Sequence, residues 1–261
     1  YPISYTLTQD EIKAGDSIFV QDTISSTLLV AVEGKVMMTR DALKFNKKLA
    51  EFDIDGNYST ECWWTIATIT GIPNALTISA DGDVAYVGTV NGKLYRIEGI
   101  SDAVSKDLAT GDSLSVIVKE EIDATAFNGQ AITSVAINPE DANKVLVTLG
   151  NYGNENYVFY AEDGKTFTSV QKDLPTCPVY SSAIIKDFQN NVIVYMIGTE
   201  KGIYTSDDMT SWAADQTVVD VPVMEIKQQL LENHDPRYVY LVDEVGDITT
   251  IGFPSIKNNG V

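Results

Sequence analysis

Apolar and polar positions alternate along this chain in short runs, and the runs recur in one fixed order. A strand-like segment meets a polar turn and then a second apolar segment. A glycine-bearing turn and a third segment follow, and the third segment enters an acidic loop. The order is spelled in Ile132–Asn138 with Lys144–Thr148, and again in Tyr180–Lys186 with Asn191–Tyr195. Three further copies pair Ala75–Ser79 with Val84–Gly88, Val223–Lys227 with Tyr238–Val242, and Asp16–Val20 with Leu28–Val32. Gly34, Gly92, Gly202 and Gly246 close the next turn, and the third copy enlarges that turn to Gly150–Asn156. The spacing, roughly 44 to 60 residues, fits propeller blades of about 40–50 residues plus insertions. A unit of that length cannot bury its own apolar face and must stack on its neighbours.

Period-two patterning rich in β-branched and aromatic residues predicts an all-β protein, and no long amphipathic helix is spelled. The predicted fold is a β-propeller of about five blades, roughly at 10–60, 61–125, 126–178, 179–220 and 221–261. Within each repeat the first three strands belong to one antiparallel sheet. Ile132–Asn138 is expected nearest the axis, with Lys144–Thr148 beside it.

Charge narrows the partners. The chain has 37 acidic against 18 basic residues, a net charge of −19. Such a surface repels phosphate backbones and anionic lipid headgroups, which argues against nucleic acid and membrane surfaces. No apolar run approaches the roughly 20 residues that span a bilayer. Cys62 and Cys177 have no metal-ligand spacing and read as two buried free thiols. Abundant Asn, Thr, Ser, Tyr and Asp suit an exported protein at the cell surface, outside the cell or in a periplasm, with one Asn-x-Ser sequon at Asn57. The chain opens at Tyr1 and ends in Ile256–Val261 as though interrupted, so a piece of something longer is expected.

After the third strand of three copies comes a recurring phrase. It runs through Asp207 to Trp212 in the fourth copy, through Glu162 and Gly164 to Phe167 in the third, and through Asp41 to Phe45 in the first. The acid can accept backbone N–H groups of its own turn, the glycine permits positive φ, and the terminal ring can fill the gap between sheets. The phrase resembles the Asp-box, or BNR repeat, with its pattern Ser/Thr-x-Asp-x-Gly-x-Thr-Trp. That superfamily of β-propellers includes sialidases, sortilin-type receptors, plant photosystem assembly factors and many exported bacterial proteins. The likeness is degenerate, with Glu162 for the Asp and Met209 for the Gly, and the second and fifth copies lack the box. It implies that Asp41, Phe45, Glu162, Gly164, Phe167, Asp207 and Trp212 are structural, on the face opposite the usual ligand site. Complete members commonly have more blades, which leaves room for a six- to eight-bladed ring.

Catalytic constellations fail one by one. A sialidase needs three convergent arginines, but Arg40, Arg96 and Arg237 fall at dispersed blade positions. The one histidine, His234, sits in a hairpin turn rather than beside a nucleophile. Asp53–Asn57 alternates oxygen ligands like a calcium loop, but Tyr58 and Trp64 stand where that loop needs Gly and Glu. Neither a metal nor a cofactor is expected. Trp63 and Trp64 read as core and blade-edge packing. A glycosidase with two facing carboxylates stays open as an alternative, as does an assembly factor.

What remains is the other propeller face, built from loops that enter each first strand and loops between the second and third. The enlarged loop contributes Asn151, Tyr152, Asn154, Glu155 and Asn156, and the entering loop of the next copy contributes Pro175 and Pro178. These are the candidate contacts for a protein or glycan partner of a non-enzymatic binding or scaffolding module.

Overall fold

The computed structural model describes residues 27–40, 63–187, 190–217, 220–227, 239–242 and 248–251. Asp16–Val20, Asp41, Phe45, Asp53–Asn57, Cys62, His234, Arg237 and Gly246 lie outside the described residues.

The chain forms successive antiparallel sheets, each a simple meander. The first is β1 (Leu28–Val32), β2 (Lys35–Thr39) and β3 (Trp64–Thr68). The second is β4 (Pro73–Ile78), β5 (Ala85–Thr89), β6 (Leu94–Glu98) and β7 (Val118–Ile122). The third is β8 (Ile132–Asn138), β9 (Asp141–Leu149), β10 (Val158–Ala161) and β11 (Thr168–Ser169). The fourth is β12 (Val179–Asp187), β13 (Val192–Thr199), β14 (Gly202–Ser206) and β15 (Ala213–Ala214). A final hairpin pairs β16 (Val239–Val242) with β17 (Ile248–Ile251).

The first strands of neighbouring sheets adjoin, β4 against β8 and β8 against β12. Later strands in each meander step outward. This is a β-propeller, all-β as its patterning predicts, with Ile132–Asn138 innermost in its blade. Two boundaries differ from the sequence reading. β3 pairs with β2, so the first blade runs past residue 60 to Thr68. Val223–Lys227 forms no strand, although its first residue bonds to the fourth blade: Val223 N–H donates to Thr199 O, and Ser181 Oγ–H donates to Val223 O.

The core lies between blades. One apolar cluster joins β2, β3, β5 and β6, and the other fills the gaps among the second, third and fourth sheets. Strands covered on both faces need no alternation, and Ala85–Thr89 is buried at every position. A short helix, α1 (Lys106–Thr110), interrupts the second blade where the box is missing. Ser105 caps it, and Ala109 is buried against the first blade's cluster.

Polar links cross the same gaps. The Arg40 guanidinium donates to the carbonyls of Ile100, Ser101 and Ala103, tying the first blade to the second. Arg96 is buried, pairs with Glu98, and donates to Tyr86 Oη at 2.9 Å and to Asn143 Oδ1 of the third blade at 2.8 Å. Both arginines therefore serve blade-to-blade contacts. Cys177 is a buried free thiol, and its burial raises its pKa.

Candidate interaction face

Two faces flank the blades. The hairpin face carries the connections from third to fourth strands, where the box residues fall. In the third blade the organising carboxylate is Asp163, one residue beyond the Glu162 that the pattern singles out. Asp163 Oδ1 accepts the N–H groups of Lys165 (2.9 Å) and Thr166 (2.6 Å), and Oδ2 accepts Thr166 Oγ1–H (2.7 Å). Glu162 is instead exposed, 3.7 Å from Lys144. The fourth blade repeats the offset. Asp208 accepts the Thr210 N–H and hydroxyl, and Asp207 is exposed beside it. The offset has a geometric cause, since the acid must precede by two or three residues the amides it receives.

Gly164 has φ +70°, and a Cβ there would lie 2.4 Å from Tyr86 Oη of the second blade, so two constraints demand glycine. Met209 takes the same left-handed conformation, φ +57°, and buries its side chain. Trp212 and Phe167 are buried between blades, as their place in the phrase predicts. Trp212 Nε1–H donates to Val170 O of the third blade, and its backbone N–H to Asp173. Phe167 meets Phe127 edge-on at 5.3 Å.

The backbone and hydroxyl donors hold the Asp163 carboxyl down to about 2, below the ordinary value near 4. A depressed native pKa gives stability that is present above the unfolded value and is lost as pH falls through the native one. A carboxyl ¹³C titration is therefore expected to place the midpoint of Asp163 near 2. A midpoint near 4 would mean that the hairpin amides do not hold this carboxylate.

The loop face is tied together blade by blade. Val90 N–H donates to Ile72 O, Gly150 N–H to Ala131 O and Glu200 N–H to Pro178 O, at 2.9–3.1 Å. Each entering loop thereby clasps the loop between the second and third strands of its own blade. Gly92, φ +76°, lets its turn approach the 126–130 loop so closely that a Cβ would fall 2.8 Å from Gly129 backbone.

Three inner strands share a bulge at their second residue: Asn74, Thr133 and Tyr180. Asn74 Nδ2–H donates to Ile132 O (2.8 Å), and Thr133 Oγ1–H to Val179 O (2.6 Å). In both cases the bulged side chain reaches the first residue of the next blade's inner strand. Tyr180 occupies the third such place, and there the link to the next blade passes to Ser181, whose hydroxyl donates to Val223 O (3.0 Å). Serine and threonine at these positions carried no sequence signal beyond strand propensity.

The enlarged loop is well fixed. Asn151 Nδ2–H donates to Gln130 Oε1 at 3.1 Å, Asn154 N–H to Tyr157 Oη at 3.2 Å, and Asn154 Nδ2–H to Gly150 O at 3.1 Å. Asn156 Oδ1 accepts Ser169 Oγ–H at 2.6 Å. Asn154 and Asn156 are thus half-buried framework, while Asn151, Tyr152 and Glu155 remain exposed. Between this loop and residues 126–128 lies an open hollow of about 350 Å³ with Leu149, Phe127 and Phe159 beneath.

Tyr152 is 70% exposed, yet its hydroxyl donates to Glu200 of the fourth blade, 2.5 Å from both carboxylate oxygens. Glu200 holds that proton and pushes the Tyr152 pKa up to about 12. Glu200 lies in the fourth copy's loop between second and third strands, a loop expected on this face, but it is not among the residues expected to make contact. Its signal is a glutamate in the tight turn before Gly202. The expected contacts at 175–178 divide. Pro175 is half-buried, and its carbonyl accepts Gln171 Nε2–H and Cys177 N–H. Pro178 is buried and supports the face rather than presenting itself on it.

Among the described residues, no group of three or more His, Cys, Asp or Glu is placed to hold a metal, and no helix is long and apolar enough to cross a membrane. No protein-family model matches the chain, and no curated protein matches it in sequence. Among solved structures, the chain is similar to Sqt1 from Chaetomium thermophilum, with TM-score 0.49, 16% identity, and coverage of 81% of this chain and 48% of that one. It is likewise similar to Chaetomium thermophilum Sqt1 bound to the N-terminus of the ribosomal protein L10, with TM-score 0.48, 17% identity, and coverage of 82% and 50%. The GH74 enzyme of Niastella koreensis matches with TM-score 0.45, 14% identity, and coverage of 72% and 28%. The chain spans about half the length of the Sqt1 structures and less of the GH74 enzyme, and these likenesses say nothing of what it binds.

Proposed function

We propose that this chain is a non-enzymatic binding or scaffolding segment of an exported or cell-surface propeller protein, and that a protein or glycan partner engages its loop face. The observation that carries the reading is the 150–156 loop. The β9–β10 ladder does not need its extra residues, yet side-chain bonds fix it to the 126–130 loop and to the fourth blade. An ordered, protruding loop with an exposed aromatic ring is what a contact surface requires.

Several features support the rest of the reading. The arginines Arg40 and Arg96 are occupied in blade-to-blade links. Glu155 is the single carboxylate among the hollow's lining residues, where glycoside hydrolysis needs two. The resemblance to Asp-box propellers gains from the turn-capping acids and buried rings on the opposite face. The composition, rich in Asn, Thr, Ser and Tyr, suits export.

The test presents the chain to glycan and peptide arrays, with a glycosidase screen in parallel. Bound ligands are expected to lose about tenfold or more in affinity to a Tyr152→Ala/Glu155→Ala variant, the scale of a contact hot spot. The variant's melting temperature should stay unchanged, and no sugar should be released. Ligands bound equally well by that variant, or turnover abolished by removing either of two facing carboxylates, would refute the proposal.

A further inference from the structure

We propose that Ile72 and Val90 form an apolar anchor on the loop face that receives an aliphatic side chain from a basic segment of a protein partner. This rests on the loop face being the binding surface, and it names the class of partner that binds there.

The pair is a product of strand register. Pro73 stands opposite Thr89 in the β4–β5 ladder, and one step further Val90 N–H donates to Ile72 O at 3.0 Å. Residues directly opposite in an antiparallel pair project to the same side, with Cβ atoms about 4.5–5.5 Å apart. The two side chains therefore stand together, and they are 53% and 42% exposed.

The repeat supplies its own comparison. In the third blade the same step beyond Ile132 and Leu149 brings Ala131 opposite Gly150. In the fourth blade the step beyond Val179 and Thr199 brings Pro178 opposite Glu200. The same backbone bond forms in all three blades, so the clasp does not require two large aliphatic side chains. Only the second blade places them there, and their area left in water is area that a partner can cover.

The anchor is continuous with the loop that carries the functional reading. Asn91 follows Val90, and Gly92 packs against the Gly129 backbone. Gln130 in turn accepts the Asn151 amide, next to the exposed Tyr152 ring. A segment laid along this line meets the aliphatic pair at one end and the ring at the other.

Two features set the partner's chemistry. Aliphatic side chains offer no flat ring face on which a sugar stacks, so the pair suits a leucine-like side chain rather than a glycan. The loops of this face carry Glu33, Asp123, Glu155, Asp173, Glu200 and Asp220 against Lys93, Lys172 and Lys201, and Lys93 is already paired with Glu121. That excess, in a chain of net charge −19, draws basic segments toward the face.

The probe is a nonapeptide of alternating Lys and Gly with leucine at its centre. Calorimetric titration at low ionic strength compares it with counterparts that carry serine at the centre or Glu in place of every Lys. The leucine peptide is expected to bind at least about tenfold more tightly than the serine peptide, the scale of one buried aliphatic side chain. The Glu peptide is expected not to bind. Ile72→Ser/Val90→Ser should remove the preference for leucine at an unchanged melting temperature. Val104→Ser takes an exposed aliphatic side chain from the connection between β6 and β7, on the hairpin face, and should leave the preference intact. Absence of binding, equal binding of the leucine and serine peptides, binding of the Glu peptide, or a preference that survives Ile72→Ser/Val90→Ser would each overturn the anchor. An equal loss through Val104→Ser would overturn it too. If array ligands still depend on Tyr152 and Glu155 while Ile72→Ser/Val90→Ser changes nothing, the loop face stands and the anchor falls. If none of these substitutions matters, both fall.

Discussion

Truncating Trp212 to alanine is expected to destabilise the chain by about 3–5 kcal/mol, the range for a buried large aromatic, and to leave partner binding untouched. The ring is 7% exposed and sits against the third blade, so its removal opens a cavity between two sheets. It also orphans the Val170 carbonyl that Nε1–H satisfies, which pushes the cost toward the upper end. Its bonds go to Val170 and Asp173, neither of which is among the candidate contact residues of the loop face. Denaturant unfolding reads the first effect, and array binding by the folded variant reads the second. A loss under about 1 kcal/mol, the scale of an ordinary surface substitution, would mean that this ring does not seal the gap between blades.

Phe127→Ala is expected to cost a similar amount, about 3–5 kcal/mol, but with the opposite functional signature. Phe127 is fully buried in the connection between the second and third blades, edge-on to Phe159 at 5.2 Å and to Phe167 at 5.3 Å. It also forms the floor of the loop-face hollow. Its loss should therefore let the 126–130 loop sag, loosen the Asn151–Gln130 bond above it, and weaken ligand binding along with stability. The two truncations separate the faces. If Phe127→Ala lowers stability but spares every array ligand, the hollow is not part of the contact surface.

The strands were legible because their burial follows the pleat or covers whole runs. Ile132–Asn138 and Lys144–Thr148 fall within β8 and β9, and both runs are short and rich in β-branched residues, which favours strand over helix. The outermost strands were not legible. Thr168–Ser169 and Ala213–Ala214 form two ladder pairs each, too few to carry any period. The 106–110 helix was equally silent, since five residues hold barely more than one helical turn.

The candidate site was legible in outline only. An enlarged loop stands out against repeats that lack it, which led to Asn151–Asn156. The links that fix it are long-range: Tyr152 meets a glutamate 48 residues away, and Asn151 a glutamine 21 residues earlier. No local pattern announces such pairs. The box acids show a smaller failure of the same kind. Aligning on Gly164 and Trp212 put the acid one residue early, because sequence spacing records which residue types recur and not which amides a carboxylate meets.

The most direct test is a crystal structure of the chain with the tightest peptide or glycan ligand selected from the arrays. The account predicts the ligand over residues 126–130 and 151–156, in contact with Tyr152, with the hairpins of Asp163 and Asp208 left bare. A ligand seated on those hairpins, or added as a strand to an outer sheet edge, would contradict it.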